Sequence, residues 1–265
     1  MPSIKHAVNS ALQRTTGYIL TKADGVQPRT ARPASPAPAR PRTAGGGTPG
    51  GKAGGKAGGK KEGTWIPPHL DEETKAVIRR VKPRTMTSPA KIAGLVLATR
   101  YVARHRVPGE IVECGVWRGG SMQAVALTLA AAGDTTRHLH LFDTFEGMPP
   151  PTEHDVRASD GEAAARLLAT HGQGSAVWAK AGLEDVQQGM AEVDYPAELV
   201  HYHQGMVEET IPEQAPEQIA ILRLDTDWYA STKHELEHLY SRLSPGGVLI
   251  IDDYGSWEGA RKATE

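Results

Sequence analysis

The chain has 265 residues, of which 39% are hydrophobic and 23% charged, a balance typical of a globular protein. Its formal net charge of -1 excludes the overall basic bias of many proteins that bind nucleic acids or membrane surfaces. The single cysteine, Cys114, excludes a disulfide framework within the chain. Because the sequence has no secretory signal and no apolar stretch of bilayer length, it predicts a cytoplasmic protein with no membrane partner.

The N-terminal quarter of the chain differs in composition from the rest. Residues 1–24 are predicted as a short amphipathic helix or tail, because apolar residues recur there at a spacing of four. Residues 25–63 are rich in Pro, Ala and Gly, and 25–61 contain eight Lys or Arg and no acidic residue. This composition cannot bury an apolar face and therefore predicts a disordered basic linker. Since the linker lacks aromatic side chains on which bases could stack, we predict no nucleic-acid partner.

Helices and strands alternate from residue 64 onward. Two helices are predicted first, over 71–81 and 88–104, with Ser88 as an N-cap and Pro89 at the first helical position. The further predicted elements are strands at 110–113, 138–143, 199–203, 219–225 and 247–252, with helices at 121–132, 161–169, 183–193 and 231–243. This alternation predicts an α/β fold with a mostly parallel, doubly wound sheet and a ligand crevice at the carboxyl ends of its strands.

Two pairs of aspartates follow apolar runs. Asp225 and Asp227 follow one predicted strand, and Asp252 and Asp253 follow the last one. Neighbouring parallel strands would bring Asp225, Asp252 and Asp253 together, where unpaired carboxylates repel each other strongly. A divalent cation such as Mg²⁺ would relieve this repulsion. The alternative is that each aspartate caps the following helix, a role that favours Asp227, which would cap the helix near Ser231 or anchor its loop.

A glycine-rich loop and a further acid suggest a nucleoside ligand. Residues 113–121 (ECGVWRGGS) connect the first strand to a helix, and their glycines permit tight turns and a close approach to a ligand. The spacing differs from the dinucleotide fingerprint and from the phosphate loop, which argues against NAD and ATP, although an ordinary tight turn is an alternative. Asp143 ends the second strand, where such folds hydrogen-bond a ribose. Together with the three carboxylates, these features are compatible with a methyl donor and a hydroxyl substrate beside a metal.

Four motifs occur in the order in which the macrocin O-methyltransferase family has them, and the chain resembles that family from about Met86 to its C-terminus. The motifs are residues 113–121 (ECGVWRGGS), 142–149 (FDTFEGMP), 224–232 (LDTDWYAST) and 251–254 (IDDY). The resemblance implies a Rossmann-like class I methyltransferase fold that uses S-adenosylmethionine and Mg²⁺ to methylate sugar hydroxyls of natural products, as in antibiotic biosynthesis. The implied partner is a small-molecule glycoside, and a homo-oligomer is one possible assembly.

The resemblance also implies roles for individual residues. Asp225, Asp252 and Asp253 would hold the metal. Beyond the resemblance, Asp225 is our candidate for the acceptor of the substrate hydroxyl proton. His203, His234 or a water are alternative proton acceptors. The residues implied to contact S-adenosylmethionine are Thr87, Glu113, Gly115, Gly119, Ser121, Asp143 and Thr144.

Three further expectations concern loops near this site. The loop at 203–206 provides no recognisable ligand for adenine. Arg118 is interpreted as a structural or lid residue, with an ion pair to Asp143 or to a site carboxylate as the alternative. Acceptor specificity is predicted to lie in a lid over 149–160.

The C-terminus is the main departure from the family pattern. Class I methyltransferases normally continue with a helix and two more strands after the Asp-Asp strand, whereas this chain stops at Glu265. We therefore expect a methyltransferase domain over 64–265 that lacks its last strands. One alternative is an inactive methyltransferase-like protein that binds a cofactor or a partner without turnover. Another is a catechol-type O-methyltransferase, although the first glycine motif favours the macrocin type.

Overall fold

The computed structural model describes residues 65–172 and 174–265, so the predicted N-terminal helix and basic linker lie outside the described residues. The strands are β1 (Glu110–Cys114), β2 (Leu139–Asp143), β3 (Val200–Gln204), β4 (Ile219–Leu224) and β5 (Leu243–Ile251). They form one sheet in the order β3-β2-β1-β4-β5, and every pairing is parallel. The predicted α/β fold with a parallel sheet is therefore confirmed.

The helices connect these strands and begin largely where the sequence predicts. They are α1 (Glu72–Val81), α2 (Pro89–His105), α3 (Gly120–Ala131), α4 (Ala164–Thr170), α5 (Leu183–Ala191), α6 (Val207–Thr210), α7 (Tyr229–Leu239) and α8 (Glu258–Thr264). The side chain of Asp71 caps α1, and that of Ser88 caps α2 by accepting from the amide of Lys91. No helix in the described part of the chain has the length and hydrophobicity of a membrane span.

Some element boundaries differ from the predicted ones. Helix α4 begins at Ala164, three residues later than predicted, because the preceding residues form an antiparallel bridge between Val156 and Ala163. Helix α7 runs from Tyr229 to Leu239 and not over 231–243. Strand β5 begins four residues early, and a register shift beside β4 accommodates its Pro-Gly-Gly segment.

Apolar clusters cover both faces of the sheet. Adjacent residues of β1 show the alternation, because Ile111 belongs to the cluster on one face and Val112 to the cluster on the other. The first cluster includes Leu95 of α2 and Met122 of α3, and the second includes Leu239 of α7. Because both faces are covered, a ligand can approach the sheet only at the strand ends.

The order of the strands reverses at β1, because β1 pairs with β2 on one side and with β4 on the other. The loops that follow β1 and β4 therefore separate and leave a crevice at the carboxyl ends. Backbone hydrogen bonds keep the strand ends level, since Asp225 donates to the carbonyl of Cys114 and Asp252 to that of Leu224, at 2.8 and 2.9 Å. The residues after each strand therefore meet at one edge.

Candidate active site

A cavity of about 360 Å³ lies at the carboxyl ends of the strands. Loops after all five strands line it, as does the segment before α2, which includes Met86 and Ser88. The sequence-predicted site residues in its lining are Thr87, Gly115, Asp143, Thr144, Asp225, Asp252 and Asp253. The predicted residues Glu113, Gly119 and Ser121 lie outside the lining and are discussed below.

The loop after β1 depends on a glycine at its first position. Gly115 has a φ of 80°, and a Cβ atom there would overlap the carbonyl oxygen of Asp225. Only glycine therefore allows this loop to pass so close to the end of β4. Gly119, at φ 77°, is the N-cap of α3, and the buried Ser121 lies in the first turn of that helix. These two residues shape the loop from behind the cavity wall.

Asp143 fixes the conformation of the same loop. Its Oδ2 accepts hydrogen bonds from the amides of Val116 and Trp117, at 2.8 and 3.0 Å, and its Oδ1 accepts from the amide of Phe145 at 2.8 Å. Burial raises the pKa of Asp143, and these amides act against that rise. Each carboxylate oxygen can accept more than one hydrogen bond, so the side chain retains capacity for a ligand hydroxyl.

Three residues other than glycine adopt left-handed backbone conformations in the loops after β1, β2 and β4. They are Trp117, Phe145 and Asp227, with φ angles of 46°, 54° and 64°. Such conformations are costly for residues with a Cβ atom and are often retained at functional sites. Their occurrence in the loops around the cavity supports its interpretation as a ligand-binding site.

The three predicted metal-binding aspartates converge on this cavity. One carboxylate oxygen from each of Asp225, Asp252 and Asp253 lies within 4.8 Å of the others. Burial, followed by repulsion among neighbouring acids, raises the pKa values of Asp225 and Asp253. The Oδ2 atom of Asp253 is buried and has no hydrogen-bond partner. This unsatisfied oxygen, in a set of oxygen donors, fits a hard divalent cation.

Arg223 connects these acids, and the sequence analysis missed it. This buried residue of β4 contacts Asp225 at 2.7 Å and Asp252 at 2.9 Å. Lys91 of α2 forms a second ion pair with Asp252, at 2.8 Å. Although burial alone would raise the pKa of Asp252, Arg223 and Lys91 together hold it below its usual value. An arginine within an otherwise apolar strand was the available signal, because such a charge must be paired when buried.

Glu113 is the third acidic partner of Arg223. It is buried behind the cavity wall, where its Oε1 forms an ion pair with the Arg223 guanidinium. Burial raises the pKa of Glu113 to about 7, in spite of the attraction of Arg223. Glu113 therefore holds the arginine in place and does not line the cavity.

The cluster carries more acidic than basic groups. Its acidic members are Glu113, Asp225, Asp227, Asp252 and Asp253, and its basic members are Lys91 and Arg223. Five carboxylates against two cations would leave three excess negative charges if every acid were ionised. Either bound protons or a bound cation must reduce this excess, because the site is largely buried.

The predicted capping role of Asp227 is wrong. Its side chain hydrogen-bonds Asp253 and Trp257, and burial raises its pKa to about 7. The first amide of α7, that of Tyr229, instead donates to Oδ1 of the buried Asp155 at 2.7 Å. Asp227 therefore anchors its loop, which was the other predicted role, and the predicted lid provides the cap for α7.

The other predicted polar residues lie outside the cavity lining. Arg118 forms two hydrogen bonds with Asp185, of 2.7 and 2.9 Å, so its alternative pairing with Asp143 or a site carboxylate is wrong. His203 stacks on Phe142, and Nε2 of His234 lies 2.9 Å from a backbone carbonyl oxygen. Among the side chains considered as proton acceptors, Asp225 is the one that lines the cavity.

Comparison with known proteins gives relatives that are O-methyltransferases by name. The chain is 37% identical over 170 residues to the 8-demethyl-8-(2,3-dimethoxy-alpha-L-rhamnosyl)-tetracenomycin-C 4'-O-methyltransferase of Streptomyces olivaceus. It is 34% identical over 170 residues to the mycinamicin III 3''-O-methyltransferase of Micromonospora griseorubida. Each alignment covers 64% of this chain, which thus spans 62% and 65% of the lengths of these curated relatives.

A solved structure shows the same similarity in three dimensions. The O-methyltransferase NovP superimposes with a TM-score of 0.59 and 31% sequence identity, over 68% of this chain and 72% of NovP. In sequence, the family profile described as macrocin-O-methyltransferase (TylF) matches residues 67–265, which is nearly the whole described part. The chain therefore belongs to the macrocin-O-methyltransferase (TylF) family.

Proposed function

We propose that this protein is an S-adenosylmethionine- and Mg²⁺-dependent O-methyltransferase that acts on a sugar hydroxyl of a glycosylated natural product. The observation that carries the proposal is the convergence of Asp225, Asp252 and Asp253 on the cavity bounded by the glycine loop. Family membership and the names of the two relatives, both O-methyltransferases, support the same reaction, and the rhamnosyl group in the name of the tetracenomycin enzyme supports the substrate class.

The cofactor would occupy the half of the cavity formed by the loops after β1 and β2. Gly115 lines this half, where the methionine end would lie, and Asp143 and Thr144 would accept hydrogen bonds from its ribose. Thr87 lies across the cavity, fixed by a hydrogen bond from Arg223 of 3.0 Å. Glu113, Gly119 and Ser121 would act from behind the wall by holding the loop and Arg223 in place.

The metal would be held by Asp225, Asp252 and Asp253. When bound, Mg²⁺ would lower the pKa of a substrate hydroxyl and orient its oxygen. Arg223 and Lys91 hold Asp252 from the protein side, so its carboxylate is oriented before any ligand arrives. The surrounding residues thus fix the donor oxygens, which reduces the ordering cost of binding.

Asp225 is the group that we expect to receive the hydroxyl proton. Its Oδ2 is paired with Arg223, while the side chain remains a quarter exposed and faces the cavity. S-adenosylmethionine, when bound, would supply the methyl group to the substrate oxygen, and its sulfur would keep the electron pair of the broken carbon–sulfur bond. Holding the oxygen, the methyl group and the sulfur in line would provide much of the acceleration.

Calorimetry with S-adenosylmethionine, with Mg²⁺ and with EDTA, tests the site first. We expect cofactor binding by the full chain and a separate Mg²⁺ signal that is lost in Asp253→Asn. The matched control is Asp194→Asn, which changes an exposed aspartate far from the cavity lining. A folded chain that binds neither cofactor nor Mg²⁺ would contradict the proposal.

An acceptor screen then separates the remaining alternatives. Formation of S-adenosylhomocysteine with glycosides, and not with simple phenols, is expected for a sugar O-methyltransferase. Turnover only with catechols would favour the catechol-type alternative. Cofactor binding without turnover on any hydroxyl acceptor would favour the inactive, binding-only alternative.

A further inference from the structure

Four histidines form a stack on one face of the sheet, away from the cavity at the carboxyl ends. His140 lies on β2 and His138 immediately before it, and His201 and His203 lie on β3, with His140 opposite His201 in the parallel register. Successive rings are nearly parallel, with centroids 4.8 to 5.2 Å apart. We refer to these four residues as the histidine ladder.

The ladder contains two nitrogen pairs with the same geometry. Nδ1 of His138 lies 2.6 Å from Nε2 of His201, and Nδ1 of His140 lies 3.0 Å from Nε2 of His203. A neutral imidazole has one N–H and one lone-pair nitrogen, so each contact brings two potential ligand nitrogens face to face. Both pairs join the same two strands, and the second repeats the first two residues further along.

Three rings of the ladder resist protonation. Burial lowers the pKa of His140 to about 4, and burial together with the neighbouring imidazoles lowers the pKa values of His201 and His203. Neutral imidazole is the ligand form of histidine, because protonation occupies the lone pair.

Acidic support and access from solvent are also present. The carboxylate of Glu110 hydrogen-bonds Nε2 of His140, as carboxylates commonly do for histidines in metal sites. A second cavity, of about 390 Å³, lies at the amino end of β1, and both Glu110 and His138 line it. An ion and its water ligands can therefore reach His138, the outer partner of His201, from this side.

We propose that His138 Nδ1 and His201 Nε2 bind one divalent transition-metal ion of the class that prefers imidazole, such as Zn²⁺, with waters from the second cavity as further ligands. Two nitrogens bound tetrahedrally to Zn²⁺ at about 2.0–2.1 Å are roughly 3.3 Å apart, so the pair opens by less than about 1 Å. Imidazole suits Zn²⁺, Ni²⁺ and Cu²⁺, whereas Mg²⁺ prefers oxygen ligands. The two ends of the sheet would therefore select different metals.

Calorimetric titration of the full, tag-free chain with Zn²⁺ in excess Mg²⁺ tests this site. We expect one Zn²⁺ per chain that excess Mg²⁺ does not displace, and binding weakened at least about tenfold in His201→Gln and in His138→Gln. The matched control is His238→Gln, because His234 and His238 form a different pair of neighbouring rings on α7. Circular dichroism of each variant establishes that it is folded.

A spectroscopic measurement on the unmodified chain makes the test independent of the variants. Cu²⁺ bound to the ladder is expected to show hyperfine coupling to two imidazole nitrogens, in excess Mg²⁺ and in Asp252→Ala. Three results would overturn the proposal: no Zn²⁺ binding in excess Mg²⁺, binding lost in His238→Gln but retained in both ladder variants, or a Cu²⁺ spectrum with oxygen ligands alone.

Discussion

The acidic site and the histidine ladder are polar clusters of the same sheet, assembled in opposite ways. In the acidic site, carboxylates from separate strand ends are held by the buried cations Arg223 and Lys91, and acids remain in excess. In the ladder, imidazole rings from two adjacent strands hydrogen-bond one another. The excess negative charge thus lies where the loops converge on the cavity, whereas the histidine ladder on the face of the sheet consists of groups that pair with one another.

Removing the buried cation should have the largest effect on stability. In Arg223→Met, both Glu113 and Asp252 lose a buried counter-charge, so we expect unfolding free energy to fall by about 3–5 kcal/mol. Urea denaturation measures the loss. Adding Glu113→Gln to this variant should restore part of it, and a loss below about 1 kcal/mol would show that the acidic site does not depend on Arg223.

Removing one acid should affect chemistry more than folding. For Asp225→Asn we expect kcat/KM for methyl transfer to fall about 100- to 1000-fold, or about 2.7–4 kcal/mol, because a metal-binding and proton-accepting group is lost. S-adenosylmethionine affinity should change little, since we place the cofactor at the loops after β1 and β2, whereas Asp225 follows β4. Steady-state kinetics and calorimetry separate the two effects, and unchanged turnover would remove Asp225 from the mechanism.

Acid should lower the contribution of the histidine ladder to the unfolding free energy. Because the pKa of His140 is lowered from 6.5 to about 4, the folded state resists protonation, and stability is lost as the pH falls from about 6.5 toward 4. The loss should be of order 3 kcal/mol at most. Glu113 and Asp227, with pKa values raised to about 7, act in the opposite direction, since they weaken folding as the pH rises toward 7.

The difference between two pH profiles therefore isolates the contribution of the ladder. Unfolding free energies of the unmodified chain and of His140→Gln, measured from pH 8 to pH 4, should converge as the pH falls. Parallel profiles would show that this ring does not resist protonation in the folded protein.

An exposed arginine provides the smallest expected effect. Arg118 forms a bidentate ion pair with Asp185, but both side chains are about one-third exposed. Arg118→Ala should therefore cost no more than about 1 kcal/mol in thermal or urea unfolding, because solvent screens such a pair. If Arg118→Ala lowered the unfolding free energy as much as Arg223→Met does, burial would not explain the difference between the two arginines.

Local patterns of the sequence were sufficient for much of this description. Alternating strand and helix patterns predicted the parallel sheet, and the cap at Ser88 predicted the start of α2. The rule that parallel strands end at one edge was enough to group Asp225, Asp252 and Asp253. Each of these inferences depends on residues close in sequence or on a general property of parallel sheets.

Contacts between distant segments could not be predicted in the same way. Asp155 caps α7 although it lies 74 positions before the first residue of that helix. The prediction that Asp227 caps the helix was therefore wrong. Arg118 found its partner at Asp185, in a helix whose packing the sequence does not specify. The histidines were visible as two His-x-His patterns, but only the register between β2 and β3 places their nitrogens together.

The sequence by itself determined the order of elements, the family resemblance and the set of acids at the strand ends. The tertiary structure alone decided which charges balance them, with Arg223 between Glu113, Asp225 and Asp252. The reason is physical: secondary structure follows from local side-chain periodicity, whereas ion pairing depends on distances of a few ångströms between segments far apart in the chain.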